Sequence, residues 1–188
     1  MQVYGSENIK NVAVVGHSGH GKTTLVEGML FHSGATERIG KVEDGNTVTD
    51  FDPEEIKRKI SISAAVAPVE WKGYKINLID APGFFDFEAE AVQAYYLADS
   101  ALILASAASG IGVGSEKAYK YCKKHGKPMA FLINQIDKEN ADFEKVAQEL
   151  KDKYGNAINV MQLPIMDGDK FKGIVDVLDM KAYEFSNG

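Results

Sequence analysis

A single cysteine, Cys122, leaves nothing for it to pair with inside the chain, so no internal disulfide forms. Positive charge is also in short supply. Its 21 Lys and Arg stand against 27 Asp and Glu, and the formal net charge of −6 excludes nucleic-acid binding by bulk electrostatics, leaving only a local basic patch. No apolar run approaches the roughly 20 residues that span a bilayer. The first eight residues, Met1 to Asn8, lack the basic and apolar regions of a secretory leader, and internal repeats and low-complexity tracts are absent. These absences point to the cytosol. The remainder, 45% hydrophobic and 26% charged, has the composition of a globular body able to bury one core, with room for an appendage.

The chain is organised around Gly16-His17-Ser18-Gly19-His20-Gly21-Lys22-Thr23, which fits G-x-x-x-x-G-K-[ST]. An apolar run, Val12 to Val15, precedes it, and a helical pattern begins at Lys22. Three glycines let successive backbone N–H groups curl around a di- or triphosphate, and the helix points its positive end at the same charge. In that geometry Lys22 bridges the terminal phosphates and the Thr23 hydroxyl ligates Mg2+. The competing reading, a glycine-rich turn with a surface lysine, does not account for the flanking strand and helix.

Around this loop, strand and helix patterns alternate. Strand Asn11 to Val15 is followed by a helix from Thr23 to His32 with Leu25, Gly28, Met29 and His32 on one face. The polar stretch Ser33 to Lys59 holds Gly34, Gly40, Gly45, Asn46 and Asp52-Pro53; only Glu54 to Lys59 reads as helix, and a loop this long is functional or mobile. Ile60 to Val69 and Tyr74 to Ile79 form a hairpin-like pair about Gly73. Then come helix Glu88 to Leu97, strand Ala101 to Ala105, a flexible Ser109 to Gly114 segment, helix Ser115 to Lys124 and strand Met129 to Ile133. Helix Ala141 to Tyr154 closes the series, with Phe143, Val146, Ala147 and Leu150 as a core stripe. The alternation predicts an α/β fold, a three-layer α/β/α sandwich on a mostly parallel sheet, with ligand beyond the carboxyl ends of the strands.

Two further segments sit at such strand ends. In Asp80-Ala81-Pro82-Gly83, Asp80 is placed to hold Mg2+ through a water and Gly83 to offer its N–H to a terminal phosphate. The following Phe84-Phe85-Asp86-Phe87 would move when that phosphate is lost. Alone, Asp-x-Pro-Gly is a common turn; its pairing with the phosphate loop gives it meaning. In Asn134-Gln135-Ile136-Asp137, the Asp137 carboxylate can accept hydrogen bonds from guanine N1–H and its 2-amino group, which adenine does not offer. Asn134 would meet the purine N7 edge. Isolated, an N-x-x-D string is usually a capped loop.

Gly16 to Thr24, Arg58-Lys59-Ile60-Ser61-Ile62-Ser63-Ala64-Ala65, Trp71-Lys72-Gly73, Ile76 to Phe87, Asn134 to Asp137 and Gln162-Leu163-Pro164-Ile165 together resemble the nucleotide-binding domain of bacterial elongation factor G. The resemblance runs from Lys10 to Tyr183. It implies a P-loop translational GTPase that binds GTP and GDP with Mg2+ and works on the ribosome through the full-length protein, with no membrane or sequence-specific nucleic-acid partner. It makes Ser33 to Lys59 the first switch and Ala81 to Phe87 the second. Nucleotide contacts fall to Gly16, His17, Ser18, Gly19, His20, Gly21, Lys22, Thr23, Thr24, Asp80, Gly83, Asn134, Gln135 and Asp137. The metal falls to Thr23, Ser61 and Asp80, and the reacting phosphate to Lys22, Gly83 and Phe84.

Four positions depart from the pattern of the family it resembles. Phe84 stands where the second switch has a water-orienting histidine, and phenylalanine makes no hydrogen bonds. Ser61 stands for threonine, Gln135 for lysine, and Gly19 for a common aspartate. The resemblance also implies a division into a nucleotide domain over residues 1–164, incomplete without its last strand, helix and guanine-contacting loop, and the start of an inserted subdomain over residues 165–188. A sheet short of an edge element is expected to favour weak stability or self-association. Three functions remain open on these residues: a Mg2+-dependent GTPase, a GTP/GDP switch with negligible turnover, and an ATP-using phosphate-loop protein.

Overall fold

The apolar run at residues 12–15 forms the middle of β1 (Ile9–Gly16) in a computed structural model that describes residues 3–168 and 170–185. The chain divides into two compact units, Met1–Leu104 with Gly112–Leu132, and Ala105–Ile111 with Ile133–Gly188. In the first unit, β3 (Tyr74–Asp80) lies parallel to β1 on one side, with Val14 opposite Asp80. On the other side β4 (Ser100–Ser106) is also parallel, with Gly16 opposite Leu104. β2 (Ala65–Trp71) pairs antiparallel with β3 through a turn at Lys72 and Gly73, and β5 (Met129–Asn134) completes the order β2-β3-β1-β4-β5.

Strand alternation divides the core between two faces. Val14, Leu78 and Leu104 cluster with Ala67, Val69 and with Val26 and Leu30 of α1 (Lys22–His32). One step along, Ala13, Val15, Ile79, Ala101 and Ile103 are buried on the opposite face. There α3 (Glu88–Leu97) and α4 (Val113–Lys124) pack on β1, bringing in Ala91, Ala94, Tyr95, Ala118, Tyr119 and Cys122, while the short α2 (Pro53–Arg58) lies in the polar stretch before β2. This is the expected α/β arrangement on a mostly parallel sheet. No helix among the described residues is long and apolar enough to cross a membrane.

Two expectations need correcting. The buried side of α1 is Thr23, Val26, Glu27 and Leu30; Leu25, Gly28 and Met29 are half-buried and His32 is exposed. Two polar residues on the inner stripe blur its periodicity. The strand expected from Ile60 begins only at Ala65, because the N–H groups of Ile62, Ser63 and Ala64 bond to glutamate side chains instead of a neighbouring strand.

In the second unit, α5 (Phe143–Tyr154) is capped by Asp142, whose carboxylate accepts from Lys145 N–H at 2.9 Å, and it buries Val146 and Leu150 as expected. β6 (Gln162–Asp167), β7 (Lys170–Asp176) and β8 (Lys181–Glu184) form a separate antiparallel sheet in that order, with a register shift between Ile165 and Met166.

Candidate nucleotide-binding site

β1 delivers the chain to the loop at Gly16, where φ is 144° and an added Cβ would lie 2.7 Å from the Leu104 carbonyl oxygen, so only glycine fits. The loop closes at Gly21, φ 83°, and α1 starts at the next residue. Lys22 folds back along the loop and donates from Nζ to the His17 carbonyl at 2.9 Å. It is 6% exposed, and burial pulls its pKa down to about 8 against the upward pull of Asp80 and Asp50. His20 turns inward, its Nδ1–H donating to Leu104 O at 3.2 Å, and burial lowers its pKa. His17 and Gly19 are exposed, Ser18 is half-buried, and Thr24 is exposed on the first turn of α1.

The pairing of Val14 with Asp80, continued by Ala81 N–H to Val14 O at 3.2 Å, sets the end of β3 beside this loop. Thr23 Oγ1 donates to Asp80 Oδ2 at 2.8 Å and lies 3.2 Å from Ser61 Oγ. Thr23, Ser61 and Asp80, far apart in sequence, therefore come together. Asp80 is 1% exposed; burial raises its pKa to about 6, while hydrogen bonds from Thr23 and Thr49 hold it down. Its Oδ1 is buried with no hydrogen-bond partner among the described residues. An unpaired buried carboxylate oxygen is costly, and two hydroxyls with one carboxylate are the sparse, hard-oxygen set that suits Mg2+ beside phosphates. The residues present fit that ion.

Gly83 closes on the loop from the other side. A Cβ there would collide with Lys22 Nζ and lie 2.6 Å from Ser18 N, so the close approach requires glycine. Phe84, 40% exposed, lines a cavity of about 110 Å³ with Gly16, His17, Pro82 and Tyr121. Beside it, Lys117 Nζ lies 3.9 Å from the Phe85 ring centroid and 2.8 Å from Glu88 Oε1, which commits Glu88 to an ion pair.

Sequence reasoning missed the residues that shape the long polar stretch from Ser33 to Lys59. Glu27, 1% exposed, accepts Gly40 N–H at 2.8 Å and Val48 N–H at 2.6 Å, one on each carboxylate oxygen. Glu55, 2% exposed, accepts Ile62, Ser63 and Asp52 N–H groups at 2.9, 3.0 and 3.1 Å. Thr47, Thr49 and Asp50 are buried with them. The polar stretch is thus docked, its backbone donors satisfied by carboxylates from α1 and from α2. The capping-box spacing of Asp52 and Glu55 was a readable signal, as was a glutamate on the buried stripe of α1. Glu27→Gln loses an acceptor for one of the two N–H groups. The expected cost is about 1.5–3 kcal/mol. Thermal melting combined with amide exchange checks it; unchanged protection at Gly40 and Val48 would remove Glu27 from this role.

The Asn134 to Asp137 segment lies in the second unit. Asn134 ends β5, and its carbonyl accepts Ala107 N–H at 2.8 Å, while Asp142 N–H donates to Ala107 O at 2.9 Å. Gln135 takes a left-handed φ of 61°, and its carbonyl accepts Lys138 N–H at 3.3 Å, which turns the loop. Asn134 and Gln135 are half-buried and Asp137 is exposed. Strong discrimination by Asp137 therefore requires the base itself to cover the carboxylate.

Over residues 7–185 the sequence matches the family described as elongation factor Tu GTP binding domain. It is 36% identical to Elongation factor G of Granulibacter bethesdensis, over 97% of this chain and 26% of that protein. It is 38% identical to Ribosome-releasing factor 2, mitochondrial, of Bos taurus, over 90% of this chain and 22% of that protein. A crystal structure of a Thermus thermophilus protein matches with a TM-score of 0.90 at 39% identity, over 95% of this chain and 27% of that one. The chain spans about a quarter of the length of these relatives. It belongs to the elongation factor Tu GTP binding domain family.

Proposed function

We propose that this chain is the nucleotide switch of a translational GTPase that binds GTP and GDP with Mg2+, hydrolyses GTP slowly by itself, and faster when the ribosome completes the site. The observation that carries the reading is the buried junction of Thr23 with Asp80, whose Oδ1 is left without a hydrogen-bond partner among the described residues, together with a desolvated Lys22 that feels the Asp80 charge. Lys22 exchanges its His17 carbonyl for the terminal phosphates. Thr23 and Ser61 hold the metal, and Mg2+ when bound neutralises charge on those phosphates. The Gly16 to Thr24 segment wraps the phosphates, Gly83 contacts the last one, and Phe84 covers it. Asn134, Gln135 and Asp137 take the base. The names of the relatives above, an elongation factor and a ribosome-releasing factor, support the ribosome as partner and the translating compartment as the location. Residues 1–164 are proposed as the nucleotide domain and 165–188 as the start of the next body, with β6 straddling that boundary.

Asp137 provides the test. Calorimetry on the full-length protein is expected to show GDP bound at least about tenfold more tightly than ADP, the worth of one charged hydrogen bond. In Asp137→Asn the amide NH2 meets the carbonyl at position 2 of xanthine, so preference shifts toward xanthosine diphosphate. Equal affinity for ADP and GDP, or a variant that keeps its guanine preference, would refute the base assignment.

A further inference from the structure

Asp80 Oδ2 accepts a second hydroxyl besides Thr23: Thr49 Oγ1 donates to it at 2.9 Å. Thr49 is 2% exposed and sits in the first switch, one residue after Val48, whose N–H is fixed by Glu27 Oε1. The consequence for the carboxylate is geometric. Two hydroxyl donors on Oδ2 pin one oxygen and leave Oδ1, buried and without a hydrogen-bond partner among the described residues, as the oxygen offered to a ligand. Thr23 cannot fix this orientation alone, because its hydroxyl also serves the metal and lies 3.2 Å from Ser61 Oγ.

We propose that Thr49 is a positioning residue for Mg2+: from the first switch it holds the Asp80 carboxylate so that Oδ1 receives the metal-bound water. This rests on reading Asp80 as the water-mediated metal residue. Glu27 acts one step further back, anchoring residue 48 to α1 so that residue 49 reaches β3. The metal site is thereby built from Thr49, inside the first switch, and Ser61, just after it, and a chain with the switch displaced keeps its phosphate loop but holds Mg2+ more weakly.

The test titrates Mg2+ against the affinity of the full-length protein for fluorescent GDP, alongside the affinity in EDTA. Thr49→Val keeps the shape and removes the donor; Thr49→Ser keeps the donor. The expected result is an apparent Mg2+ midpoint about tenfold higher in Thr49→Val, the size of one hydrogen bond to a charged group, with metal-free GDP affinity within about twofold of the parent. Thr49→Ser is expected to return the midpoint to within about twofold. A Thr49→Val midpoint within twofold of the parent overturns the proposal even if the melting temperature falls, because the hydroxyl would then serve packing alone. So does Thr49→Ser behaving like Thr49→Val. A parent whose GDP affinity ignores Mg2+ instead overturns the metal-site reading on which the proposal stands.

Discussion

Lys22→Ala is expected to raise the dissociation constants for GDP and GTP by at least about 10³-fold, roughly 4 kcal/mol. The size follows from the burial of the ammonium. Lys22 is 6% exposed, and desolvation drags its pKa to about 8 although two carboxylates favour the charged form. A group held so uneasily gains more from an anion than a hydrated surface lysine does, and several charge-assisted hydrogen bonds to phosphate oxygens are lost together on truncation. Within the protein its ammonium donates to the neutral His17 carbonyl, and truncation removes the cost of burying that charge along with its attraction to Asp80 and Asp50, so the folded chain loses little. The melting temperature without nucleotide is therefore expected to stay within a few degrees of the parent, while calorimetry finds almost no binding. A dissociation constant within threefold of the parent contradicts the role given to Lys22.

The order of strands and helices was legible because it rests on short apolar runs punctuated by Gly, Pro and Asp, and Val12 to Val15 or Ala101 to Ala105 admit few other readings. So was the approach of Asp80 to Thr23, since both follow strands that run in one direction and end at one edge. What the sequence concealed is how residues 33–64 fold. Their order comes from backbone N–H groups meeting Glu27, Glu55 and Glu90, partners up to 26 residues away, and no local periodicity announces such pairs. The same contacts explain the false strand at residues 60–64, where alternating Ile and Ser imitate a sheet edge. Thr49 was invisible for a related reason: a threonine in a polar stretch carries no signal until its neighbour is pinned to α1.

Phe84→His, assayed in the full-length protein with ribosomes, is expected to raise GTP turnover by about tenfold or more and to leave GTP affinity nearly unchanged. Residue 84 follows Gly83, whose backbone closes against Ser18 and Lys22, and its ring lines the same cavity as Gly16 and His17. Placed there, phenylalanine can shield the terminal phosphate from bulk solvent, yet it has no atom to orient an attacking water. A positioned water-orienting group contributes about 10²- to 10⁴-fold, and a transplanted histidine without its own supporting shell recovers only part of that. Of the nearby carboxylates, Glu88 pairs with Lys117 at 2.8 Å, and Asp86 is exposed in the turn leading into α3. On the proposed reading, the electrostatic catalysis that remains falls to Lys22, the metal and backbone donors. His17 also lines this cavity, its ring 5.5 Å from that of His20. If the parent already turns over as fast as Phe84→His, position 84 loses its assigned role, and a further loss of rate in His17→Ala at unchanged affinity would transfer the orientation of the water to the phosphate loop itself.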